Sequence, residues 1–355
     1  MMAEQGVRFG MIGCGEIAVR SFEALMEARN ATLAATFDVK EELAQDLAGR
    51  VEGAVACGSQ EELLARDDVE AVIVSTPHYL HAPIAIAAVE AGKHALVEKP
   101  IACTVAQGRD MVEAADRADR RLGVCFVRRY VPSTEGLRAF VEAGNLGTIM
   151  AWLIVEMGYK KESYWTGGYT DRAKTDWRLR RQTAGGGFLV MNTIHTLDVF
   201  RYMSGQEVVG AKAIGGTYNS PEGVEVEDLF SASVTLSGGG VGIIAGGSSV
   251  PGGLKGNCQR LIGTKGQLDV GASGAEGTPV FLIEGGEVNG QTVPAGEWTN
   301  VDFSGGKDGN SRALLIEAFG RWVRGDEEFL APGDDALKTL QACEVIYRDA
   351  GLFQE

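Results

Sequence analysis

Three scarcities in the sequence exclude whole classes of protein. The six cysteines are scattered and form no C-x-x-C pair, which argues against a zinc ribbon or a disulfide framework and favours a reducing compartment. No stretch approaches about 18 consecutive apolar residues, so we expect no membrane-spanning helix and no membrane partner. The first residues lack the basic and apolar regions of a signal peptide, and we therefore expect a cytoplasmic protein.

Basic charge is also in short supply. The chain has 33 Lys and Arg residues against 48 Asp and Glu residues, and its formal net charge is −15. The few basic doublets are too short to form the patch that a nucleic-acid binder needs, so no nucleic-acid partner is expected. Hydrophobic residues at 45% and charged residues at 23% are typical of a globular protein, and 355 residues favour two domains.

The first 130 residues alternate between short apolar runs and helical stretches. Strands are predicted at residues 7–12, 31–37, 70–75, 94–98 and 122–127, and helices at 16–28, 41–49, 80–91 and 104–120. Strand, helix and strand joined by short connections indicate right-handed crossovers and a parallel sheet. We therefore predict a doubly wound, Rossmann-like α/β domain over residues 1–130.

The pattern changes after about residue 130. One helix is predicted at 133–143. Glycine-rich turns then separate a series of strand candidates, which lie at 149–157, 208–217, 229–236, 241–244, 261–263 and 280–283. Such turns join antiparallel neighbours. Residues 131–355 therefore predict an α+β domain with a mainly antiparallel open sheet. Two closing helices, at 311–324 and 334–349, are candidates to pack back on the first domain.

The connection between the first predicted strand and the first predicted helix, residues 13–18, has the pattern G-x-G-x-x-A. Its candidate cofactor contacts are Gly13, Gly15, Glu16 and Ile17. Glycine allows the backbone to approach a pyrophosphate, whose charge then meets the free N–H groups of the helix N-terminus.

Asp38 ends the second strand and is placed to bind a ribose 2′-hydroxyl, which favours NAD. Lys40 lies close by and could soften that preference, so NADP is the alternative cofactor. Cys14 is expected to be either a small filler of the loop or an oxidation-sensitive thiol, because helix N-termini lower thiol pKa values.

A second group of candidates follows the strand at 70–75. Ligands of open α/β sheets bind at the carboxyl ends of the strands, and the residues there are small, polar or aromatic. We predict cofactor contacts from Ser75, Thr76, Pro77, His78 and His81. No third metal ligand is spaced with the two histidines, so no metal site is predicted.

Two further motifs carry a family resemblance. One is Val97-Glu98-Lys99-Pro100, and the other is the Gly185-Gly186-Gly187 run that leads to His195. Together with the glycine loop, they resemble the Gfo/Idh/MocA family of NAD(P)-dependent oxidoreductases, which act mainly on sugars, inositols and related polyols. The resemblance covers nearly the whole chain.

The resemblance implies roles for particular residues. Lys99 contacts the reacting hydroxyl at the end of a central strand, Glu98 lies on the cofactor side, and the Lys99–Pro100 bond is expected to be cis. His195 is the expected acid/base, because histidine titrates near neutral pH. A secondary hydroxyl of a sugar or polyol would exchange hydride with the nicotinamide.

The chain departs from the family pattern at one position. Many relatives have Asp four residues before the histidine, where this chain has Met191. Residues 189–203 predict a helix that places Asn192 and His195 on one face, so Asn192 is instead a candidate to orient the substrate. Asp198 either orients the imidazole or serves structure, and the sequence leaves both possibilities open.

Residues 159–181 are rich in polar and aromatic groups and predict a loop at the mouth of the site. The resemblance places Trp177 and Arg178 near the cofactor. Candidates for contact with the substrate are Tyr164, Asp176, Arg178 and, at the domain junction, Arg129.

Alternative functions stay open at this stage. One is the family's NAD-dependent glycosidase branch, and another is a non-catalytic regulatory protein that binds NAD(P) and sugar. The physiological direction, oxidation or reduction, is also undetermined. The resemblance further implies a homodimer or homotetramer formed through the second sheet.

Overall fold

The computed structural model describes residues 6–352, which divide into two compact units. The first unit comprises residues 6–127, 163–185 and 309–340, and the second comprises residues 128–162, 186–308 and 341–352. The helices, in chain order, are α1 Glu16–Glu27, α2 Glu41–Ala48, α3 Gln60–Leu64, α4 His81–Glu90, α5 Val105–Ala118, α6 Pro132–Glu142, α7 Glu162–Gly167, α8 Arg181–Ala184, α9 Ile194–Ser204, α10 Ser311–Arg324 and α11 Gly333–Asp349.

The first unit is built on a six-stranded sheet whose neighbouring strands all run parallel. The strands are β1 Val7–Ile12, β2 Ala31–Phe37, β3 Val55–Ala56, β4 Ala71–Val74, β5 His94–Val97 and β6 Leu122–Val124. Their spatial order is β3-β2-β1-β4-β5-β6, in which the direction of winding reverses between β1 and β4. Ligands bind beside the carboxyl ends of the strands at such a reversal. The predicted doubly wound fold is confirmed.

The second unit carries an eight-stranded sheet. Its strands are β7 Ile149–Met157, β8 Val208–Gly216, β9 Leu229–Leu236, β10 Val241–Gly247, β11 Cys258–Gly263, β12 Gly266–Asp269, β13 Thr278–Leu282 and, after the hairpin β14 Gly286–Val288 and β15 Gln291–Val293, β16 Trp298–Val301. The order is β16-β13-β12-β11-β7-β10-β9-β8, and only β7 and β10 pair in parallel. The mainly antiparallel sheet predicted from the sequence is confirmed.

The two sheets differ in burial, and the sequence reflects the difference. Every residue of β4 is buried, as expected for a strand covered on both faces. In β7, by contrast, Trp152, Ile154 and Glu156 are buried while the residues between them are half-exposed. Alternation of this kind means that one face packs on the core and the other stays open.

Several predicted elements need correction. The strand predicted at 122–127 ends at Val124 and is followed by a 3-10 turn, Val127–Tyr130. The stretch 159–181 is not a plain loop, because it contains α7 and the 3-10 turn Trp177–Leu179. The single helix predicted at 189–203 is a π-helical turn, Leu189–Thr193, that continues into α9.

Candidate functional site

The joint between β1 and α1 has the geometry that a dinucleotide requires. Gly13 has φ +87°, and a Cβ there would lie 2.8 Å from the Ser75 carbonyl carbon and from Thr76 Cγ2. No other residue fits without displacing the backbone. Gly15 is the N-cap of α1 and has no side chain to accept the N–H groups of the first turn, which begins with Glu16 and Ile17. Those N–H groups are suited to a pyrophosphate, so the loop fits the expected cofactor.

Asp38 is fixed against this loop by two backbone donors. Its Oδ2 accepts the N–H of Cys14 at 2.7 Å, and its Oδ1 accepts the N–H of Lys40 at 2.8 Å. Each carboxylate oxygen has a second lone pair, so Asp38 can still accept the hydroxyls of a ribose. The Lys40 ammonium donates to the carbonyl of Lys174 at 3.3 Å, which draws it toward a neighbouring segment.

Cys14 is a filler and not a reactive thiol. It is buried, and burial, with a smaller contribution from the Asp38 charge, raises its pKa to about 12. The expectation of a lowered thiol pKa is therefore wrong, because loss of hydration outweighs the helix N-terminus.

Residues 163–185, which we call the strap, run across the glycine loop within the first unit. The backbone N–H of Tyr169 donates to Glu16 Oε2 at 2.8 Å, and Arg172 Nε donates to the Cys14 carbonyl at 3.0 Å. Arg172 also pairs with Asp46 at 2.7 Å, and this hydrogen bond is the main cause of the lowered pKa of Asp46. No local pattern could have identified Arg172, because its partners lie more than 100 residues away along the chain.

The aromatic residues of the strap form a stacked group. The guanidinium carbon of Arg178 lies 4.5 Å from the ring centroid of Trp177 and 5.1 Å from that of Tyr164. Tyr164 is 8% exposed, and burial raises its pKa to about 12, whereas Asp176 is exposed. The structure therefore brings Tyr164, Trp177 and Arg178 together, but it buries the predicted substrate contact Tyr164.

Both histidines that follow β4 are buried against backbone carbonyls. His78 Nδ1 lies 2.7 Å from the Ala184 oxygen, and the His78 ring packs against Trp177 in a tilted arrangement with centroids 4.4 Å apart. His81 Nδ1 lies 2.8 Å from the Pro100 oxygen, and its Nε2 lies 3.1 Å from the Thr76 oxygen. Burial lowers the pKa of both. The ring nitrogens of His81 thus contact protein carbonyls, which corrects the prediction that they face a cofactor.

The segment after β5 carries Lys99. The Lys99–Pro100 peptide bond is cis, as the resemblance implied, and Lys99 is half-buried. Glu98 is 4% exposed and forms an ion pair with Arg312 of α10, which also donates to Ser21 at 3.0 Å. The predicted cofactor contact of Glu98 is therefore corrected, because its carboxylate holds a buried arginine. Ser75 and Pro77 lie on the neighbouring loop after β4.

In the second unit, Glu227 and its partner Tyr347 explain two of the three adjacent glycines. Glu227 is fully buried, and it accepts the N–H groups of Gly187 at 2.7 Å and Leu189 at 3.0 Å and the hydroxyl of Tyr347 at 2.7 Å. A Cβ on Gly187 would meet the Glu227 carbonyl at 1.9 Å, and one on Gly186 would meet the Tyr347 hydroxyl at 2.2 Å. Burial raises the pKa of Glu227. This carboxylate caps the helical segment that leads to His195.

The π-helical turn changes the predicted relation of Asn192 to His195. Asn192 lies in the π turn, whose backbone bonds run from i to i+5, and His195 lies in the first turn of α9. The uninterrupted α-helix on which the shared face was predicted is therefore replaced by a π turn followed by an α-helix. Asn192 and His195 are both half-buried, whereas Met191 is buried.

Thr196, next to His195, belongs to a polar cluster that the sequence did not reveal. Its hydroxyl accepts from Arg128 at 2.5 Å and donates to Glu156 Oε1 at 2.6 Å, and Gln259 donates to the same oxygen at 2.5 Å. Arg128 lies 3.8 Å from Glu156. The alternation of β7 is the signal that could have identified Glu156, because it places this carboxylate on the buried face.

Arg129 and Asp198 form a buried, bidentate ion pair. Arg129 Nε and Nη2 donate to the two oxygens of Asp198 at 2.8 and 2.6 Å, and the side chains are 1% and 0% exposed. The predicted contact of Arg129 with substrate is therefore corrected. Of the two roles left open for Asp198, the structure supports the structural one.

The described residues contain neither a metal-binding cluster nor a membrane-spanning helix. Within residues 6–352, no group of three or more His, Cys, Asp or Glu side chains is arranged to hold a metal ion. In the same part of the chain, no helix is long and apolar enough to cross a membrane.

Comparison with known proteins gives matches along the chain. The family described as "Oxidoreductase family, NAD-binding Rossmann fold" matches residues 7–126, and the Gfo/Idh/MocA C-terminal domain matches residues 134–269. The 1,5-anhydro-D-fructose reductase of Ensifer adhaerens is 31% identical over a match that covers 61% of this chain and 63% of that relative. The myo-inositol 2-dehydrogenase of Thermotoga maritima is 29% identical over 67% of each chain.

A solved structure has the same fold over nearly the whole length. The WlbA dehydrogenase from Bordetella pertussis, in complex with NADH and UDP-GlcNAcA, is 22% identical, covers 99% of this chain and 97% of its own, and has a TM-score of 0.82. Because the two family models together match more than half of the sequence, the chain belongs to the Gfo/Idh/MocA oxidoreductase family, and residues 7–126 are its NAD-binding Rossmann fold.

Proposed function

We propose that this protein is an NAD-dependent oxidoreductase that transfers a hydride between a secondary hydroxyl of a sugar or polyol and nicotinamide. The observation that carries the proposal is the glycine loop, where Gly13 packs closely against Ser75 and Thr76 and Gly15 leaves the first turn of α1 without a side-chain cap. The names of the relatives support the reaction type, because a reductase and a dehydrogenase of such substrates are among them.

NAD is the proposed cofactor, with NADP as the weaker alternative. Asp38 is held rigidly by the N–H groups of Cys14 and Lys40, so it cannot easily turn away from a 2′-phosphate. Lys40, two positions after Asp38, is engaged by the carbonyl of Lys174. A fixed carboxylate accepts the hydroxyls of NAD and repels the phosphate of NADP.

In this proposal, three side chains act on the substrate, namely those of Lys99, His195 and Asn192. When bound, the cofactor supplies the nicotinamide carbon that accepts or donates the hydride. The Lys99 ammonium stabilises the negative charge that develops on the substrate oxygen. The His195 imidazole accepts the hydroxyl proton during oxidation and returns it during reduction. Asn192 hydrogen-bonds a neighbouring hydroxyl of the substrate.

A neutral polyhydroxy substrate is favoured over a sugar acid. The cluster beside His195 contains one cation, Arg128, and one carboxylate, Glu156, 3.8 Å apart, so these two charges offset each other. Arg129 is likewise balanced by Asp198. An additional carboxylate on the substrate would find no uncompensated positive charge in either pair.

The test is the absorbance of reduced nicotinamide in mixtures of the protein, NAD or NADP, and a panel of sugars, inositols, sugar acids and nucleotide sugars. Lys99→Met and His195→Asn are expected to lower kcat by about a hundredfold or more. Lys93→Met and His94→Asn are matched controls, because Lys93 and His94 stand at the opposite end of β5. Activity that survives in both test variants would refute the assignment.

The same panel separates the alternatives. Cleavage of a glycoside without net formation of reduced cofactor would establish the glycosidase reaction in place of the dehydrogenase. Binding of NAD and sugar without turnover would indicate a regulatory protein.

We also propose that the open face of the second sheet joins copies of the chain. Register places Val241 beside Ala151 and Ile243 beside Leu153, and Val241 and Ile243 are 59% and 50% exposed. Apolar side chains side by side on an exposed sheet favour association. Light scattering after size exclusion should give the mass of a dimer or tetramer, and Ile243→Glu should reduce it. A monomeric mass for the unmodified chain would refute this proposal.

A further inference from the structure

His81 has an environment that the reaction does not explain. It is the first residue of α4 and is fully buried. Its two ring nitrogens lie 2.8 Å from the Pro100 carbonyl oxygen and 3.1 Å from the Thr76 carbonyl oxygen. These carbonyls belong to two separate loops, one after β4 and one after β5, and the second of these loops carries Lys99.

The chemistry of the ring restricts what this geometry can mean. A neutral imidazole has one N–H donor and one bare nitrogen lone pair, whereas a carbonyl oxygen only accepts. A neutral His81 would therefore satisfy one carbonyl and direct its lone pair at the other. Only the doubly protonated ring can donate to both carbonyls, and the resulting charge-assisted bonds are the stronger kind.

The charged groups around His81 act in opposing directions. Glu98 favours the protonated ring, as do the two carbonyls themselves. Burial, which is the largest effect, and the Lys99 ammonium oppose it. The ring centroid of His78 lies 5.5 Å from that of His81. The net effect is a pKa lowered below the ordinary value. The two short contacts to carbonyl oxygens favour a doubly protonated His81 ring, whereas the lowered pKa favours the neutral ring.

We propose that His81 is a positioning residue for Lys99: its imidazolium donates to the carbonyls of Thr76 and Pro100 and so fixes the two loops to each other. This inference rests on the proposed role of Lys99. Pro100 adjoins Lys99 directly, so a bond to its carbonyl restrains the backbone from which the ammonium extends. Thr76 lies on the loop predicted to contact the cofactor. A displacement of about 1 Å at a reacting group costs about a hundredfold in rate.

The first test is spectroscopic and needs no activity. The chain contains four histidines, so protein labelled with ¹⁵N-histidine gives eight ring nitrogens. Substitutions of the other three, His78→Phe, His94→Asn and His195→Asn, assign the His81 pair by elimination even where His81 variants do not fold. Two N–H-type nitrogens at His81 at neutral pH are expected. One N–H-type and one bare nitrogen would overturn the imidazolium.

The second test is kinetic and compares His81→Phe with His81→Gln. Phenylalanine fills the space without a donor, whereas glutamine retains donors. His81→Phe is expected to lower kcat by ten- to a hundredfold with the Kd for NAD changed by less than about threefold, and His81→Gln to recover part of the loss. The control, His94→Asn, should leave kcat unchanged.

The outcomes separate this inference from the proposed function. An unchanged kcat in folded His81→Phe, or a loss confined to NAD affinity, would overturn the positioning role while leaving the Lys99 assignment intact. Full activity of Lys99→Met would instead overturn the proposed catalytic role, whatever the ¹⁵N spectrum shows.

Discussion

The buried pair of Arg129 and Asp198 allows a decision between two roles for Arg129. The sequence predicts contact with substrate, whereas the structure places the guanidinium in a bidentate pair with Asp198, with both side chains inaccessible. Asp198→Leu, Arg129→Met and the double variant distinguish the two roles, because a structural pair affects the free energy of unfolding and a substrate contact affects KM.

The neighbours of the pair set the expected magnitudes. Removing one partner of a buried ion pair costs about 3–5 kcal/mol, because the other charge stays buried without compensation. Asp198→Leu leaves two buried cations, Arg129 and Arg201, although Arg201 retains its bonds to Glu207 at 2.5 and 2.7 Å. We therefore expect a cost toward the upper limit. Arg129→Met leaves Asp198 with Arg201 4.0 Å away, so a cost near the lower limit is expected.

The double variant provides the decisive comparison. Replacing a buried ion pair with apolar side chains is often nearly neutral, so the double variant should cost less than either single variant. The packing of Arg129 over the Tyr202 ring, 5.0 Å from the centroid, is lost in both Arg129 variants and sets a limit on the recovery.

Urea denaturation followed by circular dichroism and by tryptophan fluorescence measures these costs, and agreement of the two signals checks that the two units unfold together. A coupling free energy of about 2 kcal/mol or more between the two sites would support the structural pair. An unchanged urea midpoint with a raised KM in Arg129→Met would refute it and restore the substrate contact.

Four further substitutions test three other parts of the molecule. Asp38→Asn keeps an acceptor for Cys14 but removes the charge, so the preference for NAD over NADP, measured as a ratio of kcat/KM values, should fall by about tenfold or more. His94 accepts the N–H of Arg121 at 2.9 Å, and burial lowers its pKa to about 4. The folded protein therefore favours the neutral His94 ring. The stability that this ring contributes is complete above about pH 6.5 and is lost as the pH falls toward about 4. In His94→Asn, the melting temperature should lack this contribution to the loss of stability in acid. Glu227→Gln replaces one acceptor oxygen with a donor that faces other donors, so a loss of about 1–3 kcal/mol in urea is expected; Tyr347→Phe should cost less, because it removes a single donor.

Most of the fold could be predicted because the elements that matter are long and patterned. The strands of the first sheet from β1 to β5 lie within a residue of the predicted bounds, with the exception of β3. Val55–Ala56 has only two residues, so it carries no pattern, and it exists because β2 offers it an edge. The short strands between 286 and 301 escaped prediction for the same reason, since long-range pairing forms them and local sequence does not.

The candidate site was less predictable, and the reason is the distance between partners along the chain. Arg129 and Asp198 are separated by 69 positions, Glu98 and Arg312 by 214. A charged residue beside a family motif is easily predicted to contact a ligand, because its ion-pair partner is distant in the sequence and cannot be recognised there. Glycines were easier to interpret, because the requirement at Gly13 or Gly187 comes from a backbone that approaches closely and not from a distant charge.

The pairing of these charges has a consequence for how the first unit can bind an anionic cofactor. Arg312 is held by Glu98, and Arg172 is shared between the Cys14 carbonyl and Asp46. The attraction for a pyrophosphate must therefore come chiefly from backbone N–H groups at the start of α1. Such dipoles are fixed by the fold and are weakly screened by salt at contact distance, so the affinity for NAD should depend little on ionic strength. Titration of NAD at low and high salt measures this dependence, and a steep fall in affinity would assign the pyrophosphate to Arg172 instead.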